Sequence, residues 1–280
     1  MLDGLRRGPP ARTLARKHAH ALAVTAALAI LTAASGATAA GFATARFGGE
    51  HGTVVTTNPT ALYYNPAGLG FSEGVHLMAD GSLALRRVTW VHRPAASDPP
   101  DPLGGEGSNA GRAELFNVFG APMLGASARF GKLALAAGLF VPFGGRQEWA
   151  QNSTFVGNAN FPMAADGVQR WHSIKGGVTF IYGSFGAAYR LGRLSLGASG
   201  NLVAASMASV RARNPAGDTL GHTDQEGRTD IEVSGLFASF GLGLMFEALE
   251  DRLWLGASYQ AQPGLGPMTL KGRLITTYMG

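Results

Sequence analysis

Along most of the chain apolar and polar side chains alternate every second residue. In Leu133–Phe143 the odd positions are Leu133, Leu135, Ala137, Leu139, Val141 and Phe143, and mostly small residues stand between them. In Leu194–Val210 one face carries Leu194, Leu196, Ala198, Leu202 and Ala204, and the other Ser195, Ser199 and Asn201. A period of two is that of a β-strand with one greasy face. The same reading predicts strands near 75–93, 113–130, 133–144, 175–191, 193–210, 229–247 and 252–278. Several are far longer than the usual five or six residues of a globular strand.

The connections sort by length. Gly131-Lys132, Gly192-Arg193 and the run 248–252 are tight, whereas 94–112, 145–174 and 211–228 are long and polar. Long and short alternate strictly through seven strands, which puts all short turns on one rim and all long loops on the other. Outer-membrane barrels are built this way, because a bilayer tolerates β structure only as a closed antiparallel wall. The expected fold is therefore all-β, an antiparallel transmembrane β-barrel; a soluble β-sandwich is the rival. Trp90, Phe143, Tyr182, Trp254 and Tyr259, near strand ends, fit the aromatic girdles of such a barrel.

The N-terminus has a different grammar. Arg6, Arg7, Arg12, Arg16 and Lys17 precede an apolar run, Ala21–Ala34, and a small-residue site at Ala37-Thr38-Ala39. These are the three parts of a cleavable signal peptide, 1–39. The run, at about 21 Å of helix, is short for a hydrocarbon core of roughly 30 Å. Removing that leader changes the charge picture. The chain has 23 basic and 18 acidic residues, a net +5. Residues 40–280 retain 18 and 17, so the excess is mostly the leader's and nucleic acid drops out as a partner. Only 15% of residues are charged, against about 25% in soluble domains. There is no cysteine, which excludes disulfides, thiolate metal sites and cysteine nucleophiles.

Residues 40–72 do not alternate. They open on Ala40-Gly41-Phe42, continue through Ala45-Arg46 and Gly48-Gly49, and close on Thr60-Ala61-Leu62-Tyr63-Tyr64-Asn65-Pro66-Ala67-Gly68-Leu69. This stretch resembles the FadL-type family, outer-membrane channels for long-chain fatty acids and other hydrophobic compounds. So do Gly186–Leu191 before a tight turn and Leu255–Gln260 followed by Leu270-Lys271-Gly272. The resemblance implies an N-terminal lumenal hatch formed by 40–72, with Asn65, Pro66, Ala67 and Gly68 as its motif, ahead of a barrel over 73–280. Pro66 fixes φ and Gly68 permits a turn, so the motif can act as a rigid corner; it could also simply turn the chain into the first strand. Ala40, Gly41 and Phe42 become a ligand gate, and Gly138 or Pro142 part of a wall opening beside the third strand. The implied function is passive uptake of long-chain fatty acids or aromatic hydrocarbons, by lumenal capture, hatch movement and lateral exit into outer-membrane lipid of a Gram-negative bacterium. A second Asn-Pro-Ala-Gly, at Asn214–Gly217, lies in a long loop and reads as a type I turn.

Catalytic signatures are thin. Gly197–Asn201 and Gly125–Arg129 miss the Gly-x-Ser-x-Gly pattern, and Gly105–Gly111 has the wrong spacing for a dinucleotide loop. No metal, cofactor or enzyme activity is expected. Asp224, Glu226, Asp230 and Glu232 read as a solvated loop end rather than a cation site, and His222 with Asp224 is the one pair that a rim hydrolase could use. A loop-displaying structural or adhesive barrel is the alternative to a channel. Family barrels have fourteen strands, against about seven here, so the sequence is expected to hold the hatch and about half of the wall.

Overall fold

The computed structural model describes residues 52–96, 98, 100–215 and 225–278, all within one compact unit, Phe42–Gly280. Eight strand segments form one antiparallel sheet: β1 (Val75–His92), β2 (Gly111–Phe130), β3 (Leu133–Glu148), β4 (Lys175–Leu191), β5 (Leu194–Arg213), β6 (Gly227–Leu249), β7 (Leu253–Gln260) and β8 (Lys271–Tyr278). β1 to β7 lie side by side in chain order, and β8 also pairs with β6. The sheet is a half-barrel seven positions wide. A single seventh strand over 252–278 was expected; instead β7 and β8 occupy one position, separated by 261–270. Pro263 and Pro267, with glycines at 264 and 266, explain the interruption, since proline has no ladder donor. β3 also runs on to Glu148, four residues past the expected end.

The hairpins joining β2 to β3 and β4 to β5 have two-residue turns led by Gly131 (φ 63°) and Gly192 (φ 62°), the left-handed geometry that lets a two-residue turn follow the twist of its strands. The long connections, after β1, β3 and β5, leave and rejoin the sheet at the opposite rim.

The two faces differ as a bilayer requires. On the outer face of β6 stand Leu236, Ala238, Phe240, Leu242, Leu244 and Phe246, the large ones exposed. Ten residue steps at about 3.3 Å, tilted by about 40°, give a height of about 25 Å, that of the apolar band of membrane barrels. The band stops in register: Ile181, Ala204 and Leu236 pair across β4, β5 and β6. One step further the row reads Thr179, Ser206, Ser234 and Lys271, and Glu232 and Arg273 meet beyond it at 2.7 Å.

The inner face is built around small residues and a row of larger ones. Met123, Phe140, Tyr182, Val203 and Phe237 pair one to the next from β2 to β6. Of the five expected girdle aromatics only Tyr259 stands on the outer face, paired with Leu242. Trp90 stacks on His92 on the inner face, Tyr182 is buried, Phe143 packs on Phe180, and Trp254 shares a concavity with Arg190 and Glu247. Alternation fixes that these residues share strand faces, but not which face holds the ring. Among the described residues no helix is long and apolar enough to cross a membrane, which leaves crossing by strands untouched.

Candidate functional site

The inner face holds residues 53–72, folded as a compact corner. Asn58 starts it: its Oδ1 accepts from Thr60 N at 2.9 Å and from Thr60 Oγ1 at 2.6 Å. One helical turn follows, α1 (Ala61–Tyr64). It ends at Asn65, which is extended (φ −167°, ψ 101°), as a residue before proline prefers to be. Pro66 then opens a 3-10 helix, Pro66–Phe71, where its missing N–H is no loss.

Asn65 ties this corner to the wall. It is fully buried, and its Nδ2 donates to Val54 O at 2.7 Å and to Leu244 O on β6 at 3.0 Å, while its Oδ1 accepts from Ala67 N at 3.1 Å. On β5, Ser195 Oγ donates to Ala67 O at 2.7 Å. A motif that only turned the chain into β1 has no need of a bond to a strand 179 residues away.

The corner lies so close to the sheet that side chains cannot stand beneath it. A Cβ on Gly243 would sit 1.9 Å from Asn65 Oδ1, and one on Gly197 2.3 Å from Ala67 N. Gly256 meets Val54 O at 2.4 Å, Gly186 meets Leu62 at 2.6 Å and Gly125 meets Pro59 at 2.9 Å. With Gly138, against Leu62 at 3.2 Å, these glycines come one each from β2 to β7. Gly68 serves closeness too. Its φ lies outside the left-handed region, and a Cβ there would meet Thr56 O at 1.9 Å. The expected turn is thus a contact.

Above the corner lies an aromatic cluster. Tyr63 meets Phe140 and Tyr182 edge-on, with centroids 5.6 and 6.4 Å away, and those two rings stack at 5.6 Å. Burial, helped by neighbouring Tyr64, pushes the Tyr63 phenol up to about 12, so it stays neutral. Below, Arg190 lies over the Phe71 ring at 4.2 Å and pairs with Glu247 at 3.3 Å.

The wall beside this cluster is incomplete. The β2–β3 ladder ends at Met123 opposite Phe140, and in the β3–β4 ladder Val141 and Pro142 together face Ile181. That is a β-bulge, which bends the strand that carries it. Beyond it no ladder joins β2 to β3, and the described contacts across the gap are a bridge from Leu115 to Trp149, Ala150 N donating to Glu114 O, the Phe119 ring against Gly144, and side-chain bonds from Arg86 on β1 and Asn117 on β2 to Arg146 O. Pro142 thus stands at the start of the gap. Gly138 is paired on both sides, opposite Gly125 and Ser184, so the gap begins past it. Ala40, Gly41 and Phe42 lie outside the described residues, as do His222 and Asp224.

The long-loop rim is closed by charge. Arg170 and Glu226 are fully buried and meet through Nε–Oε1 at 2.6 Å and Nη2–Oε2 at 3.1 Å. Arg170 also donates to Ser108 O, Gly167 O and Asn109 Oδ1. Asp166 takes a second fork from Arg228, at 2.6 and 2.7 Å. Burial pushes the Glu226 carboxyl above its usual range, against the pull of Arg170. The expected solvated loop end thus fails at Glu226, an interior anchor, whereas Glu232 is exposed and pairs with Arg273 on the strand beside it, and Asp224 lies outside the described residues. Among the described residues no group of three or more His, Asp or Glu could hold a metal.

No family model matches the chain, and no curated protein matches it significantly. Solved structures do. Two deletion mutants of the monoaromatic hydrocarbon channel TodX, lacking S2 and S3 or S2 alone, give TM-scores of 0.53 and 0.51 at 19% and 18% identity. They cover 78% and 79% of this chain and 56% and 57% of theirs. A Pseudomonas aeruginosa FadL homologue matches with a TM-score of 0.48 at 17% identity, over 76% of this chain and 49% of that one. The chain thus shares the fold of the TodX channel structures, and it spans about half the length of the solved structures that it matches.

Proposed function

We propose that this chain belongs to a Gram-negative outer-membrane channel that admits hydrophobic small molecules passively, with residues 40–72 as its hatch. The observation that carries the reading is the inner face itself: a backbone corner seated on glycines, beneath an aromatic cluster that opens on a gap in the wall. A barrel built only to display loops gains nothing from filling its interior in this way. TodX, a channel for monoaromatic hydrocarbons, supports the same class of cargo, as do long-chain fatty acids in the family that the sequence resembles.

In this reading an apolar molecule enters from the long-loop side, rests against Tyr63, Phe140 and Tyr182, and leaves sideways past Pro142. Lateral exit keeps it out of water, whose exclusion of apolar surface supplies the driving force. The outer face supplies the lipid contact, and Asn65, Pro66, Ala67 and Gly68 hold the hatch against the wall. Ala40, Gly41 and Phe42 act as its gate toward the ligand.

Uptake of labelled toluene and of a labelled long-chain fatty acid, by cells carrying the protein in their outer membrane, tests this. Uptake well above that of cells without the protein is expected, and its absence removes the channel reading. Deleting 40–72 is expected to change the rate and to admit polar solutes. Unchanged rates for both would remove the hatch.

A further inference from the structure

The sheet carries a second break, on the side away from β2 and β3. β6 pairs with β7 only as far as Gly241 opposite Gln260, and with β8 only from Ser234 opposite Lys271. Between these limits six residues of β6, 235–240, face ten residues of the neighbouring run, 261–270. One end of that run is fastened, by Ala261 N donating to Phe240 O and Ser239 Oγ donating to Ala261 O. Past that point the run bonds to itself, Leu265 N to Gln262 O at 3.2 Å and Gln262 Nε2 to Gly266 O at 2.8 Å. Gly264 (φ 85°) and Leu265 (φ 51°) are both left-handed there, a conformation that a leucine adopts only under constraint.

The run bends toward the inner face. Gly264 lies against Phe237, where a Cβ would be 3.4 Å from the ring, and Leu270 reaches the space over Gly235. Phe237 pairs with Val203 and shares its face. The depth is that of the apolar band, because Leu236, Ala238 and Phe240 face outward at the same level. At membrane depth irregular backbone is tolerated only where protein buries it or where it lines a cavity.

Phe237 is also the end of the inner row that starts at Met123. The row begins where β2 and β3 part and ends where β6 loses its neighbour, four strand spacings or about 19 Å away. We infer that the break between β7 and β8 is a second lateral port, at the same depth as the first, so that an apolar ligand on the Met123–Phe237 row faces lipid at both ends. This rests on the channel reading above. Pro263 and Pro267 keep the port from zipping shut, since neither can donate to a ladder.

The chain has no cysteine, so single-cysteine variants carry a nitroxide at one place only. In vesicles of phosphatidylcholine, a label on Phe237→Cys is expected to collide with a lipid-dissolved relaxant several-fold more often than one on Val203→Cys, which sits on the same row between complete ladders. Deleting 263–266 together with Pro267→Val leaves six residues facing six with every ladder donor present, and is expected to bring the two labels level and to lower fatty-acid uptake several-fold. Phe237→Lys, which leaves the backbone count alone and places a charge at the port, is expected to lower uptake as well. Equal collision rates at 237 and 203 in the undeleted chain overturn the port. So does unaltered uptake in either port variant. No uptake by the unaltered chain overturns the channel reading itself, and the port as a route with it; that result is told apart because the variants then have nothing to lower.

Discussion

The concave side of the sheet is filled twice, by opposite means. Near the short turns, residues 53–72 are held by close fit: backbone lies on Gly197, Gly243 and Gly256, the side chains of Pro59 and Leu62 lie on Gly125, Gly138 and Gly186, and the polar anchor is the neutral Asn65. At the long-loop rim the filling is held by charge, through the buried Arg170–Glu226 fork and the Asp166–Arg228 pair. The first arrangement is intolerant of added volume, and charge enters it only at its lower end, where Arg190 lies over Phe71. The second depends on two buried ionisable groups keeping their hydrogen-bond partners. A segment that fits against one wall, and loops packed on one another at the rim, call for these different kinds of hold.

The largest test of the contrast is Arg170→Ala. It leaves the Glu226 carboxylate buried without its partner, at a cost of about 3–5 kcal/mol. Rapid proteolysis within 149–174 is expected, with 53–72 still protected. Replacing both partners with methionine is expected to recover most of the loss, because a buried pair is often no better than a packed apolar one. Equal exposure of both regions in Arg170→Ala would show that the two fillings are one cooperative unit.

Next comes the corner. Asn65→Ala strips the carbonyls of Val54 and Leu244 and the Ala67 N–H of their partners, at about 2–3 kcal/mol. Gly243→Ala pushes a methyl group into Asn65, at about 1–3 kcal/mol. The double variant is expected to cost less than the sum, since Asn65→Ala makes the room that the methyl group needs. Thermal unfolding of the four proteins in detergent measures this coupling, and strict additivity would mean that Gly243 is not the seat of Asn65.

The smallest effect is on pH. The Glu226 carboxyl is raised in the folded protein, so the folded state takes up its proton more readily than the unfolded chain. The stabilisation from this group is complete below the unfolded carboxylate range and is lost as pH rises through the raised value. Loop proteolysis of the unaltered chain should therefore speed up from mildly acidic toward neutral pH, and Glu226→Gln should flatten that rise. The corner, without a titrating anchor, should show neither change.

Much of the wall was legible in the sequence because alternation, turn length and glycine at tight turns are local signals: strands were expected near 75–93 and 175–191 and stand at Val75–His92 and Lys175–Leu191. The broken seventh strand had its signal too, in Pro263 and Pro267, but the alternation on either side of them hid it. The site was legible only as a motif. Asn65 and Pro66 stood out by resemblance, yet their partners Ser195, Gly197 and Gly243 lie far away in the chain, and a glycine in a strand looks the same whether or not a backbone passes over it. Arg170 and Glu226 were beyond reach for a like reason, as a loop charge reads as solvated until a fold buries it.

The glycine seat also orders events in time. Its places come from six strands, β2 to β7, so none of it exists until the last of them has joined the sheet. The corner that docks there lies ahead of all six in the chain. The segment made before the wall must therefore wait, apolar rings included, for most of the wall to assemble. Something other than its final contacts has to keep Leu62, Tyr63 and Leu69 from premature partners in the meantime.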